Sequence, residues 1–393
     1  MLCICASRQS DHSGDIAQLK QTLPDFQVVE FSSNVTPIAN KPFIWFGSSG
    51  GTENNFLKLN LSSLPLPVIL YSVPTDNSSA AAQEVSFYMR QRLIPQIHCK
   101  TLKQLQECVK SWSEYNKIIK SIQEQNILRI GGYSDWLINE NDQFYKQSLP
   151  KIVNVSVEQF MAETKPNHDL QIQGQGDHVN AHVKPASEVY SRLKQELEKY
   201  NAKALTVKCF DLLTTYQHHA ACYPYAQLQN EGILCACEGE VSSMIGMIML
   251  RAATGNNGIF MCNYLKNEGK VYKFAHCTAP LCGLEQCGQT QEFRLRTHYE
   301  TKDGLAVTVQ IQEQEVIVFK LRLGDNCIAQ VLSGKIVKSR LDDIEECQCR
   351  TQIEVELDNE VEMIGNHYLV VKKTQAGYEQ LKKLMSLFGF FMV

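Results

Sequence analysis

Over the first two thirds of the chain, short apolar runs stop at glycine or polar residues and give way to stretches of helical spacing. PFIWFGSSG (42–50) reads as a buried strand entering a glycine-rich turn. PVILYSVPTDNSSAAAQEVSFYMRQRL (67–93) reads as strand, turn and amphipathic helix, with Asn77 or Ser78 placed to cap the helix. Residues 101–124 read as another helix, and NILRIGGYSDWLI (126–138) as strand and loop. This alternation predicts a parallel sheet covered by helices. The polar stretch 163–185 reads as a loop or inter-domain segment, 186–200 as a helix and ALTVKCFDLL (204–213) as the next buried strand. Two further apolar runs, ILCAC (233–237) and IFMCN (259–263), flank the helical MIGMIMLRAA (244–253) and complete a second α/β unit.

After Glu292 the pattern changes to period two. EFRLRTHYE, LAVTVQIQE, EVIVFKLRL and QIEVELD alternate apolar and polar positions, with GDN (324–326) and SGK (333–335) as turns. Such segments predict antiparallel sheet in a small barrel or sandwich. The tail from Gly365 reads as strand, helix, strand and is expected to rejoin the second α/β unit. The fold class is therefore α/β. Two Rossmann-like parallel-sheet domains, 1–150 and 151–290 (the latter joined by 366–393), carry a C-terminal antiparallel, barrel-like β domain over 291–365.

A chain of 393 residues, 44% of them apolar, is enough for two or three cores. A net charge of −4 and a pI of about 6.2 give no strong basic field for nucleic acid or an anionic membrane. No apolar run reaches membrane-spanning length, and the first residues lack the pattern of a secretory signal. A cytoplasmic location without nucleic-acid or membrane partners is expected. The 15 cysteines are odd in number, which excludes complete disulfide pairing within one chain, and many lie in apolar runs as small hydrophobes. The Cys-x-Cys pairs at 3/5, 235/237 and 347/349 lack zinc-ribbon spacing. His276, Cys277, Cys282 and Cys287 form a looser cluster with no second pair to close a tetrahedron. Gly47–Gly51 resembles a phosphate-cradling turn but lacks the Walker lysine and the Rossmann glycine spacing, so no nucleotide is expected.

Candidate chemistry concentrates between Gln227 and Cys277. The acid pair of Cys-Glu-Gly-Glu (237–240) ends one apolar run, and His276 ends another. In open α/β sheets, ligands bind at the carboxyl edge of the strands. Glu238 suits a general base if a partly dry strand end raises its pKa; alternatively it is an exposed glutamate favouring a helix N-terminus. Glu240 either shares the face of Glu238 and meets substrate or favours the helix dipole. Lys208 and Asp211 read as a salt-bridged or solvated pair before a site pair. His218, His219, Tyr223 and Tyr225 either line a sugar pocket or pack a loop, and Trp136 is expected to pack under its own loop.

The segments NEGILCACEGEV (230–241), TGNNGIFMCN (254–263), FAHCTAPL (274–281) and GNHYLVV (365–371) resemble the L-fucose isomerase and L-arabinose isomerase superfamily, especially its shorter fucose-isomerase-like members. GSSGGTE (47–53) and GGYSDWLI (131–138) are similar to that family's domain-edge motifs. The resemblance implies a metal-dependent aldose–ketose isomerase working through a cis-enediol, on a fucose-like, arabinose-like or modified monosaccharide. It implies two α/β domains with a β domain, a homo-oligomer (trimer or hexamer), and a divalent ion, commonly manganese. Carried over, the metal- and proton-handling carboxylate falls on Glu238 and the histidine ligand on His367. The second acidic ligand falls on Cys262, beside Asn263. A thiol there disfavours Mn²⁺ and opens the alternatives of zinc or no metal, with His276 or Glu240 compensating. Glu238 and His276 are then the catalytic candidates; Glu238, His367 and His276 the metal ligands; Glu240, Asn263 and Cys262 the substrate-binding candidates. A non-catalytic sugar-binding or regulatory protein on the same fold is the rival reading, and a lyase or epimerase using the same enediol is a third.

Overall fold

The computed structural model describes residues 1–5, 13–30, 37–138, 148–163, 172, 177–298, 300–341 and 350–393. The first parallel sheet holds β1 (Leu2–Cys5), β2 (Val28–Glu30), β3 (Ile44–Gly47), β4 (Val68–Tyr71) and β5 (Gln96–Cys99), in the order β2-β1-β3-β4-β5. Helices α1 (Ser13–Thr22), α2 (Glu53–Leu57), α3 (Ser78–Arg90) and α4 (Leu102–Gln123) intervene. β3 and β4 are buried at every position, as strands covered on both faces must be. Thr101 caps α4 by accepting the Gln104 N–H at 3.2 Å. Asn77 is the N-cap residue of α3 by position only and makes no side-chain capping bond there.

The second parallel sheet holds β6 (Asn126–Ile130), β7 (Lys151–Val155), β8 (Ala204–Val207) and β9 (Leu234–Cys237), in the order β7-β6-β8-β9. Its helices are α5 (Val157–Glu163), α6 (Asp177–Lys199), α7 (Cys209–Thr215), α8 (Cys222–Asn230) and α9 (Val241–Thr254). Two expectations shift here. Strand 126–130, expected within residues 1–150, pairs with β7 and β8 in the second sheet. Residues 177–185, expected as loop, form the first turns of α6, with Pro185 inside the helix. The rest of that polar stretch, 164–176, lies outside the described residues apart from Ile172, as does the 347/349 cysteine pair.

The C-terminal region contains β10 (Ile259–Glu268), β11 (Val271–His276), β12 (Phe293–Thr297), β13 (Leu305–Val309), β14 (Glu315–Arg322), β15 (Ile328–Arg340), β16 (Thr351–Leu357), β17 (Tyr368–Lys372), α10 (Gln375–Phe388) and β18 (Phe391–Met392). Strands β14-β17-β10-β11-β16-β15 form an antiparallel sheet that closes through β14–β15 pairing into a six-stranded barrel. β12 and β13 make a separate hairpin. The architecture is the expected α/β class with two parallel sheets and a barrel. Strand membership differs from expectation. β10, β11 and β17, expected in the second α/β unit, are all barrel staves. The tail helix does return: Leu381, Leu384, Met385 and Phe388 of α10 share a core with Met244, Ile248 and Leu250 of α9.

Alternation along the barrel strands separates two cores. Val316 and Val318 point inward with Phe260, Cys262, Tyr272, Phe274, Tyr368 and Val370. Ile317, Phe319 and Leu321 point outward onto α9 with Ile259, Met261, Leu369 and Val371. The barrel thus sits directly against the helix that follows β9. A Cβ on Gly246 of α9 would lie 2.8 Å from a Leu369 side-chain carbon, so the helix needs glycine for this approach. Among the described residues, no helix is long and apolar enough to cross a membrane.

Candidate active site

The carboxyl edge of the second sheet meets the mouth of the barrel. β9 ends at Cys237, and the chain then turns through two consecutive left-handed residues, Glu238 at φ 63° and Gly239 at φ 74°, before α9 begins. A Cβ on Gly239 would fall 1.8 Å from the Gly132 carbonyl oxygen, so this turn is pressed against the 131–138 loop. The loop answers by donating the Ser134 N–H to the Glu238 carbonyl at 2.9 Å. His367, which leads into β17, is also left-handed, at φ 57°. Non-glycine residues in this region cost about 1–3 kcal/mol each and persist where the surroundings over-determine them. Two of the sequence-predicted site residues carry that cost.

Glu238, His276 and His367 each bring a ligand atom into one group whose members lie within 4.8 Å of one another. The two imidazoles meet edge to face with ring centroids 5.6 Å apart. His367 is 1% exposed and His276 3%. His276 continues the inward positions of β11, and its Nδ1 lies 2.7 Å from the Thr278 hydroxyl. His367 Nδ1 lies 2.8 Å from Glu240 Oε2. Its other nitrogen, Nε2, is 3.4 Å from Glu238 Oε1, but the approach is misaligned and this buried atom has no hydrogen-bond partner.

Glu240 has a different task from the one expected. It occupies the N-cap position of α9 without making a capping bond to the backbone. Its carboxylate takes the His367 ring, the Ser243 hydroxyl at 2.6 Å and the Lys320 ammonium at 3.2 Å, and the residue is 4% exposed. These three contacts commit both carboxylate oxygens within the protein. Cys262 is corrected as well. It lies in the barrel interior with Phe260 and Phe274, its thiol 3.5 Å from the Tyr368 carbonyl, and does not belong to the convergent group. Burial pushes that thiol well above its ordinary value. Asn263 lies on the opposite face of β10 from Cys262, paired with Ala275.

Glu238 does not carry the raised pKa expected of it. Burial pushes the carboxyl up, but the His367 and His276 imidazoles and the Trp136 indole outweigh burial and hold it below its ordinary value. Glu238 is therefore a carboxylate through the neutral range. Burial lowers His367, but Glu240 and Glu238 overcome it and raise the ring from 6.5 to about 9. Burial likewise raises Glu240, and Lys320 with His367 reverses this, bringing it from 4.5 to about 2.

These shifts set the pH dependence of the metal-free protein. A raised imidazole contributes stability that is complete below 6.5 and lost as pH rises through about 9. A depressed carboxylate contributes stability that is complete above 4.5 and lost as pH falls through about 2. Both contributions are present between pH 4.5 and 6.5. Urea midpoints in chelator should decline from that window towards pH 9, and His367→Gln should remove the alkaline decline. An equal decline in both proteins would rule out His367 as its source.

Several site residues escaped the sequence. Trp136 is not packed under its loop; it is 50% exposed and donates its indole N–H to Glu238 Oε2. Lys320 sits inward in β14 after Val316 and Val318, so a lysine on an apolar face was the readable signal. Lys208 binds Asp211 at 3.0 Å and Asp135 at 3.1 Å, as a salt-bridged pair should. His218 pairs with Asp303, His219 with Glu188, and Tyr223 and Tyr225 are buried. A cleft of about 400 Å³ opens at the same sheet edge between Arg129, Gly131, Asn154, Ser156, Glu158 and Asp211. It lies beside the acid–imidazole group and is not lined by it.

No family model matches the chain. It is similar to sulfoquinovose isomerases of Priestia aryabhattai and Priestia megaterium, each 23% identical over 168 residues. The match covers 42% of this chain and 36% of each relative, so it spans little more than a third of their length.

Proposed function

We propose that this protein is a metal-dependent sugar isomerase whose centre is Glu238, His276 and His367. The observation that carries the reading is the His367 ring. Its Nδ1 is fixed on a buried carboxylate, while its Nε2 is buried, without a hydrogen bond, and faces a carboxylate and a second imidazole. A ligating histidine characteristically gives its other nitrogen to a carboxylate, which sets tautomer and direction. Two imidazoles and one carboxylate fit a first-row divalent cation and leave open positions. Manganese is the first candidate and zinc the alternative.

A bound cation would supply Lewis acidity to the two adjacent sugar oxygens between which the carbonyl migrates. The chain's own groups do the rest. Glu238, ionised and 9% exposed, accepts the proton from the carbon beside the carbonyl and returns it to the neighbouring carbon, while the proton of the adjacent hydroxyl passes to the former carbonyl oxygen. The Trp136 N–H holds the carboxylate from the solvent side. Glu240, locked by Lys320 and Ser243, keeps His367 directed inward. Tyr133 and Trp136, 39% and 50% exposed, offer aromatic faces beside the cluster for the C–H side of a sugar ring. The rival reading as a sugar-binding protein rested on Cys262 replacing a ligand; that thiol lies inside the barrel, and His276 is the third candidate donor beside Glu238 and His367.

Sulfoquinovose is the first sugar to try, followed by fucose, arabinose and their ketoses. Purified protein with Mn²⁺ should interconvert at least one aldose–ketose pair and should exchange a carbon-bound hydrogen for solvent deuterium. Sugar binding with full metal loading but neither conversion nor exchange would select the non-catalytic reading.

A further inference from the structure

Thiol pairs that lie close together among the described residues include Cys209–Cys237 at 3.3 Å, Cys222–Cys277 at 3.5 Å and Cys282–Cys287 at 3.1 Å. Only the second is joined by an imidazole. Cys222, Cys277 and His298 each place a ligand atom within 4.8 Å of the others, and all three are buried. They come from three separate places: the first residue of α8, the residue after β11, and the residue after β12. The ordered folding of distant segments, not sequence proximity, brings them together.

We propose that Cys222, Cys277 and His298 form a second cation site, selective for a thiophilic divalent ion such as zinc and separate from the centre at Glu238. The sulfur separation carries the inference. Two thiolates bound tetrahedrally at about 2.3 Å from zinc stand roughly 3.7 Å apart, whereas a disulfide requires about 2.05 Å. The observed 3.5 Å is near the first value and far from the second. His298 is set up as the third donor. Its Nδ1 is 3.2 Å from the Thr301 hydroxyl, which restrains the ring, and a ring nitrogen lies within 4.8 Å of both sulfurs. Binding replaces the two thiol protons, which leave to solvent, and water completes the fourth position.

The site is placed to act on the first one. Cys277 follows His276 directly, so a cation there anchors the end of β11 to α8 and to the 298–304 turn. Phe210 bridges the two groups, packing edge-on to Trp136 at 5.1 Å and to His298 at 5.2 Å. The second ion is thus a structural clamp on His276 and on the loop that holds Glu238. Thiolate donors exclude the hard cation favoured by the first site and prefer zinc.

The test is Co²⁺ titration of anaerobically purified, fully reduced protein, read by absorption. Thiolate-to-cobalt charge transfer in the near ultraviolet reports sulfur ligation alone, so the carboxylate–imidazole centre does not contribute to it. Expected is a charge-transfer band saturating at one equivalent, lost in C222S and in C277S, and retained in His367→Ala. Folding of each variant is checked by circular dichroism. The wild-type titration is decisive even where a variant fails to fold. A cobalt titration of folded wild type without that band would overturn the site, as would a band that survives in folded C222S. Failure of the isomerase reading would leave the band untouched.

Discussion

Glu238→Gln is expected to lower isomerisation by about 10³-fold or more while leaving the fold intact. The substitution keeps the size of the side chain and an oxygen to accept the Trp136 N–H. It removes the charge that the two imidazoles face and the oxygen lone pair that receives a carbon-bound proton. Solvent-deuterium incorporation should fall with turnover, because the lost step is proton abstraction. Thermal unfolding should change by about 1–3 kcal/mol, because the charge facing the buried His367 ring is lost while the side-chain volume is kept and no cavity forms. Full exchange with impaired product release would move the proton-transfer role to another group, with His276 the next candidate in the cluster.

Gly239→Ala should have the opposite profile: a large loss of stability with no change in the chemistry of any side chain. A methyl group at this position would overlap the Gly132 carbonyl oxygen at 1.8 Å, and that oxygen is backbone that cannot rotate away. The residue also holds φ 74°, where an alanine is strained. A cost of about 3–5 kcal/mol follows. The relief available is separation of the 131–138 loop from the 237–240 turn, which takes the Trp136 indole off Glu238. The variant should therefore show a lower urea midpoint and a more mobile, more exposed Trp136 by fluorescence quenching. An alanine variant as stable as wild type would mean the two loops are not in contact.

How much of this was readable beforehand depended on whether one face or two faces of a segment are buried. The acid turn at 237–240 was legible because LCAC is buried at every position and stops abruptly at charged residues. His276 was legible because it ends the largely apolar run VYKFA, although β11 is only partly buried. The barrel membership of β10 was not. Phe260 and Cys262 fill the barrel while Ile259 and Met261 pack on α9, so an antiparallel stave reads as the continuous apolar run of a parallel strand. β17 has the same two-sided burial, with Tyr368 and Val370 inward and Leu369 and Val371 outward. That alternation also decides Cys262: the position seen as a missing acidic ligand is a core position in line with Phe260.

The long-range partners were harder still. His367 entered through a resemblance, since a histidine before a strand has no periodic signature. The Lys320–Glu240 pair joins residues 80 positions apart, and a buried lysine is stable there only because the carboxylate and the Asn366 carbonyl meet it. Trp136 had the sequence context of a loop anchor, and only the left-handed turn at Glu238 brings a carboxylate under its indole. Helix α6 was obscured at its start by asparagine, histidine and an internal proline, which lower helical propensity without preventing a packed helix.

Crystals soaked in Mn²⁺ and measured at an energy where manganese scatters anomalously test the shared centre most directly. A single strong peak within bonding distance of Glu238, His276 and His367, absent from His367→Ala crystals, is the expected result. A manganese peak held by other residues, or none there at saturating ion, would contradict it.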